Sequence, residues 1–436
     1  MLKAGFSRVD VTPPLGSFLA GYYEVRRAKG ILDPIEINTL AVSDGVSTIV
    51  ILACDFEAIH TNYADIVRKK ISEKCALPIE NIFLHSIHQH TSIGLFDYSS
   101  QGIRNDLVDD ASYMDYLYRK LEDTSIMAIA DMSDAEWSYA EKETSEQVSF
   151  IRRYIMTNGK VRTNPHGAED QIVRPAEEAD NTVRLIKFTR EGKKDIAFVN
   201  FQTHPDIIGG EMFSADWPGF ARRFFEKDND DAYCFLVNGF QGDVNHVNFM
   251  GEKKRFYPRS VEIGHIIADT ITELMKITKP IDGETEILAK ASMVYSETSR
   301  DKEEFYDECL ELCNRVDAGE DWIGLKTPSG IGYQQALRIV DIKKKSPIYQ
   351  KIPVAVINIG KFVIAGLGGE PFTNYATAVR RANPEKIVFT ACITNGYQGY
   401  YPTKVAFEQG GYEVVTSVFK DCVEEECVSR INKLIK

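Results

Sequence analysis

Leu40-Ala-Val-Ser-Asp44-Gly45-Val-Ser-Thr-Ile-Val-Ile-Leu-Ala-Cys54 reads as two apolar strands joined at an Asp-Gly turn. Asp-Gly suits a hairpin because the reversal needs positive φ, which glycine adopts freely and aspartate tolerates. Asp55 and Glu57 follow the second strand, and a helix is predicted from Asn62 to about Lys74. The apolar run Asn81-Ile-Phe-Leu-His85 then leads into His88-Gln-His90. The order is hairpin, polar residues at a strand end, helix, strand, polar motif. If the last strand stays extended, His88 and His90 share a face, and His85, of opposite parity, packs or hydrogen-bonds on the other.

The same order recurs twice. Asn181-Thr-Val-Arg-Leu-Ile-Lys-Phe-Thr turns at Glu191-Gly192 and returns through a strand that delivers His204. A helix from Trp217 to about Lys227 follows, then a strand ending in Asn238-Gly-Phe-Gln-Gly242-Asp243-Val-Asn245-His246. In the third copy, Val354-Ala-Val-Ile-Asn-Ile-Gly360 and the strand after it deliver Glu370. Its helix runs from Thr373 to about Ala382, and its last strand ends in Asn395-Gly-Tyr397-Gln-Gly-Tyr400. This predicts an α/β fold of mixed β-sheets flanked by helices, built from three similar hairpin-helix-strand units around one metal cleft. No linker or low-complexity tract interrupts the pattern, so residues 1–436 are expected to form a single domain.

Three other segments are read more simply. Asn158-Gly159 marks a hairpin with a basic edge at Arg152 and Arg153, and the segment from Val173 to Asp180 reads as an exposed loop. An amphipathic helix is predicted from Arg300 to about Val316, with Phe305, Leu312 and Val316 on one face.

The bulk properties narrow the function. A net charge of −13 with no basic stripe argues against nucleic acid and anionic membranes as partners. No apolar run reaches the roughly 20 residues of a membrane helix, and Met1-Leu2-Lys3-Ala4-Gly5-Phe6 lacks the apolar core of a signal peptide. A cytoplasmic location is expected. The eight cysteines form no C-x-x-C and read as small core residues. The expected partner is a small-molecule substrate, and homo-oligomerisation is compatible with the composition.

The chemistry lies in His88, His204 and Glu370. Two imidazoles and a carboxylate at strand ends form a ligand set suited to Zn2+, with a position left open for water. Such a site makes water nucleophilic near neutral pH for attack on a carbonyl. Tyr400, Tyr412 and His90 are the available oxyanion donors, and His90 or a carboxylate can relay a proton. G-x-S-x-G, H-E-x-x-H and the phosphate-binding glycine loop are all absent from the sequence.

Further motifs fall in a fixed order: Ala4-Gly5-Phe6-Ser7-Arg8-Val9-Asp10-Val11-Thr12-Pro13-Pro14, His88-Gln-His90-Thr-Ser92, Thr203-His204-Pro205, Ser214-Ala-Asp216-Trp-Pro-Gly219, Gly242-Asp243-Val244, Gly369-Glu370 and Asn395-Gly-Tyr397-Gln-Gly-Tyr400. Together they resemble the catalytic domain of neutral/alkaline non-lysosomal ceramidases, over nearly the whole chain. The resemblance implies a zinc-dependent amide hydrolase. It implies His88, His204, Glu370 and Tyr400 as zinc ligands, with His90, Tyr412 and Arg152 in the active site, and it places Asp243 and Asn245 in an active-site motif. That motif departs from the family's Gly-Asp-Val-Ser-Pro-Asn, since Asn245 stands in place of the serine. The family's C-terminal β-sandwich-like domain is expected to be missing. The function expected is cleavage of an N-acyl bond in a small polar substrate rather than in ceramide. An esterase, deacetylase or lyase acting on a sugar-derived substrate, or a catalytically silent binding homologue, remain alternatives.

Overall fold

The computed structural model describes residues 2–96, 111–252, 256–345 and 348–436. The larger of its two main sheets contains β1 (Leu2–Asp10), β2 (Glu36–Ser43), β3 (Thr48–Cys54), β4 (Ile82–Ser86), β5 (Ser133–Glu143), β6 (Thr182–Arg190), β7 (Asp195–Phe201) and β8 (Ala232–Asn238). Their spatial order is β8-β7-β6-β5-β1-β2-β3-β4, and Lys279–Pro280 adds a short edge pairing to β5. The second sheet is β9 (Ile287–Glu297), β10 (Tyr349–Ile359), β11 (Phe362–Leu367) and β12 (Ile387–Ala391), in that order.

Side-chain alternation stacks these sheets into layers. Ile49, Ile51 and Ala53 of β3 face the second sheet, whereas Val50, Leu52 and Cys54 face away from it. The same parity gives Ile196 and Phe198 of β7 to the inter-sheet core, where they join Ile357 of β10, Phe362 and Ile364 of β11 and Phe389 of β12. Phe198 packs edge-on against Phe235, Phe362 and Phe389, with ring centroids 5.1–5.8 Å apart. Aromatic pairs of this geometry add about 0.5–1.5 kcal/mol each beyond their area burial.

Helices cover the outer faces. α1 (Thr61–Cys75) and α2 (Ala111–Ala130) pack over the β1–β4 half of the large sheet, and α3 (Asp216–Asp228) and α4 (Phe256–Ile277) over the β5–β8 half. Between β9 and β10 the chain forms a helical pair, α5 (Tyr306–Asp317) and α6 (Tyr333–Lys345), with its own apolar cluster. Then come α7 (Thr373–Ala382), α8 (Lys404–Gln409), α9 (Tyr412–Thr416) and α10 (Val423–Ile435), of which α7 and α10 cover the second sheet. Among the described residues, no helix is long and apolar enough to cross a membrane.

Three segments share one pairing scheme: an antiparallel hairpin, a helix, then a strand parallel to the hairpin's second strand. They are β2-β3-α1-β4, β6-β7-α3-β8 and β10-β11-α7-β12. The first two lie in the large sheet and the third in the small one. In the third, Gly360 takes φ +52° in a two-residue turn, and a Cβ there would lie 1.9 Å from Glu284 O, so only glycine fits.

Two local expectations need correction. The helix predicted from Arg300 begins at Tyr306, after a single 3-10 turn at Glu303–Phe305. The loop predicted over 173–180 starts as strand, because Ile172–Pro175 pairs with Arg153–Met156 on the Asn-Gly hairpin.

Candidate metal centre

β4 ends at Ser86, before the histidine pair, so strand alternation does not orient His88 and His90. A turn does: His88 has φ +83°. A non-glycine residue there is strained by about 1–3 kcal/mol and persists only when its surroundings hold it. They do so at both ends of the residue. His88 N donates to Phe56 O at 2.8 Å, and its Nδ1 donates to Glu57 O at 2.7 Å. His90 is fixed similarly, with Nδ1 2.8 Å from Gly21 O. His85, within β4, is hydrogen-bonded as expected, but strand parity does not relate it to the pair beyond the turn; it bonds Cys392 O through Nδ1 and Asn238 N through Nε2.

His204 comes from the loop after β7. Asp216, at φ +50° on the first residue of α3, pins that loop by accepting from Ile207 N at 2.9 Å and Ile208 N at 3.1 Å. Its other oxygen accepts from Trp217 N and Ser260 Oγ. The Ser214-Ala-Asp216 motif therefore fastens the His204 loop to α3 and α4. Glu370 lies on a short parallel ribbon opposite Tyr400. Gly242 buttresses it: its N donates to Pro371 O, and a Cβ would fall 2.4 Å from Glu370 O.

These elements bring four side chains to one point. His90 Nε2 is 3.3 Å from His88 Nε2 and 3.1 Å from His204 Nε2. Glu370 Oε2 is 3.2 Å from His88 Nε2 and 3.7 Å from His204 Nε2, and makes no hydrogen bond of its own among the described residues. A carbonyl only accepts, so Nδ1 of His88 and of His90 carries the proton, and their Nε2 lone pairs face each other. Lone pairs and a carboxylate oxygen this close repel unless a cation, proton or metal, lies among them. The three imidazole nitrogens are spaced to hold a metal ion, and the donor set fits zinc.

The electrostatics agree. Burial lowers the basicity of His88, but Glu370 and Glu57 override it and raise its pKa to about 9. Burial and His88 push His90 down to about 3. Burial, Arg152 and His88 push His204 down as well. Burial opposes ionisation of Glu370, yet His88, His204 and Arg152 hold it well below the usual carboxylate range. Glu57 is pushed up to about 7 by burial, against the pull of His88.

The other predicted residues occupy the surroundings. Arg152 bonds Glu413 Oε1 at 2.8 Å and Gly242 O at 2.9 Å, with its guanidinium 5.3 Å from the Tyr400 ring centroid. Tyr412 packs edge-on to Tyr400 at 5.7 Å, and its hydroxyl meets that of Tyr23 at 3.1 Å. Asp243 spends both oxygens on Thr373, at the start of α7, so it secures the segment that carries Glu370. Asn245 bonds Asn164 and Val247 N.

The sequence reading missed three supporting groups. Tyr397 donates to Glu370 Oε1 at 2.7 Å and was visible only as part of its motif. Glu57 stood out as a strand-end acid without an assigned role. Glu413 is fully buried and takes hydrogen bonds from Arg152, Arg153 and Thr163. Nothing in the local sequence marks it except that it follows Tyr412.

The chain superposes on the crystal structure of neutral ceramidase from Pseudomonas aeruginosa with a TM-score of 0.76, at 16% identity over 100% of this chain and 74% of that one. A structure described as ceramidase complexed with C2 gives 0.74, at 15% identity over 100% and 74%. At these identities the likeness is one of fold: the chain adopts the neutral ceramidase fold. No protein-family model matches the sequence, and no curated protein matches it.

Proposed function

We propose that the protein is a zinc-dependent amide hydrolase that cleaves an N-acyl bond in a small polar substrate. The observation that carries this reading is the convergence of His88 Nε2, His204 Nε2 and the unpartnered Glu370 Oε2 on one buried point, with His90 Nε2 beside them. His88, His204 and Glu370 would hold the ion, with Tyr400 beside them as a fourth ligand. His90 is the least buried of the three histidines and faces Tyr22, which suits a group that stays off the metal and meets substrate. A bound zinc would supply a water ionised near neutral pH and would polarise the substrate carbonyl.

The chain's own residues supply the rest. Glu57 O and Gly21 O fix the tautomers and tilt of His88 and His90. Tyr397 holds the Glu370 carboxylate in orientation. Arg152 and Tyr412 form a donor wall suited to negative charge developing on the acyl oxygen, and Glu413 anchors that wall from behind. His90, with Nδ1 committed to Gly21 O and Nε2 turned to the site, is placed to relay a proton to the departing amine. Amide cleavage as the reaction follows by analogy with the ceramidases that share the fold.

The test is metal analysis joined to an amine-release assay. The purified protein should retain about one Zn2+ per chain and free amine from N-acyl substrates, with both properties lost after chelation. Absence of stoichiometric metal, or full amine release from chelated protein, would sink the reading.

A further inference from the structure

Beside the metal centre is a cleft of about 320 Å³. It adjoins the histidines on two sides: Tyr22, on its wall, packs against the His90 ring at 5.3 Å, and Asp206, also lining it, follows His204 by two residues. Its volume is at the low end of the roughly 300–1,000 Å³ seen for small-molecule sites, enough for one substituted ring but short for an extended acyl chain.

The polar groups on its walls are incompletely satisfied. His246 is 7% exposed, and its Nδ1 lies 3.3 Å from Asp206 Oδ1, yet neither atom makes a directed hydrogen bond among the described residues. Buried polar atoms are normally paired, so such a couple marks a place for a ligand or an ordered water. Asn245 spends its carboxamide within the fold, with Nδ2 donating to Asn164 Oδ1 at 2.9 Å and Oδ1 accepting from Val247 N at 3.0 Å. That pairing occupies Asn164 Oδ1 and orients its carboxamide, so Nδ2 is the donor it offers on this wall of the cleft. Phe249, buried against Tyr154, adds an apolar wall.

An ionised carboxylate only accepts, and an amide N–H only donates. A group that answers both must donate and accept at neighbouring positions, as vicinal hydroxyls do. An ammonium could satisfy Asp206 but not Asn164. We propose that this cleft is a subsite for a hydroxyl-bearing ring, such as a sugar or cyclic polyol, carried by the substrate whose N-acyl bond lies at the metal centre. Asp206, held by His246, receives a hydroxyl proton, Asn164 donates to a neighbouring oxygen, and Tyr22 and Phe249 pack on its C–H surface. This assignment rests on the hydrolase reading for its placement but not for its binding chemistry.

The test uses the zinc-loaded full chain and two probes of equal ring size, N-acetyl-D-glucosamine and N-acetylcyclohexylamine. Binding is measured by calorimetry, and acetate release is followed separately. The hydroxylated probe should bind at least about tenfold more tightly, the scale of one buried hydrogen bond. Asp206→Asn and Asn164→Ala should each bring the ratio towards one, with zinc content unchanged. Equal binding of the two probes, or a preference that survives both substitutions, overturns the subsite. Turnover of both probes without discrimination removes the subsite and keeps the hydrolase. Hydroxyl-dependent binding without acetate release keeps the subsite and removes the hydrolase.

Discussion

Glu370 Oε2 stands 3.2 Å from His88 Nε2, and both side chains are almost wholly buried. Two buried groups of this kind are stable together only if something positive lies between them. His88→Ala, His204→Ala and Glu370→Ala should therefore each lose bound zinc in a metal assay of the purified protein. Chelation should lower the unfolding free energy of the parent protein by about 2.7 kcal/mol or more, the value for ligand held at 100 times Kd. It should leave the stability of the three variants nearly unchanged. Full zinc content in Glu370→Ala would refute its place in the set.

His90 differs from its neighbour in role. Both rings are braced by a backbone carbonyl, but His90 is the more accessible of the two and lies beside Tyr22. His90→Ala is expected to retain zinc while kcat falls by about 10²–10⁴, the range for loss of a general acid–base group. Parallel metal and rate measurements decide the point, since loss of metal in step with rate would make His90 a ligand.

Much of this was legible in the sequence, and for identifiable reasons. Strand periodicity located the hairpins, because one face of β3 or β7 meets the other sheet and the opposite face meets helices. The positions of His88, His204 and Glu370 followed from those elements. Periodicity failed where the backbone leaves it. His88 at φ +83° and Asp216 at φ +50° sit in turns that no hydrophobic pattern encodes. Side chains whose importance comes only from distant partners, such as Glu413 beneath Arg152, were equally silent.

Glu413 holds two buried guanidinium groups, accepting from Arg152 Nε at 2.8 Å and Arg153 Nη1 at 3.1 Å, with all three side chains almost wholly buried. Removing one partner of a buried ion pair leaves an uncompensated charge and costs about 3–5 kcal/mol. Glu413→Ala should show that loss in urea unfolding. It should also reduce turnover, because the adjacent Tyr412 and the Arg152–Tyr400 pair lose their anchor. A variant as stable as the parent would remove Glu413 from this role.

Phe198 is the hub of the inter-sheet core, with edge-on contacts to Phe235, Phe362 and Phe389. Phe198→Ala leaves a cavity between two sheets whose backbones are fixed by their own ladders, so little collapse is possible. A destabilisation of about 3–5 kcal/mol is expected, with zinc content preserved at low temperature. A loss below 1 kcal/mol in denaturant titration would mean the sheets repack freely.

His85 gives the pH dependence of stability. Its Nδ1 donates to Cys392 O at 2.6 Å, and its Nε2 accepts from Asn238 N at 3.1 Å, so only the neutral ring fits. Burial lowers its pKa to about 4 from an ordinary value of 6.5. Between these values the unfolded chain binds a proton that the folded chain refuses. The stabilisation is thus complete above pH 6.5 and is lost as pH falls towards 4, by about 3 kcal/mol in all. His85→Gln keeps one donor and one acceptor but cannot titrate. The slope of unfolding free energy against pH in this window should fall by close to one proton in that variant. Identical slopes for parent and variant would mean that His85 titrates in the folded protein as it does in the unfolded chain, and the neutral-ring account would be wrong.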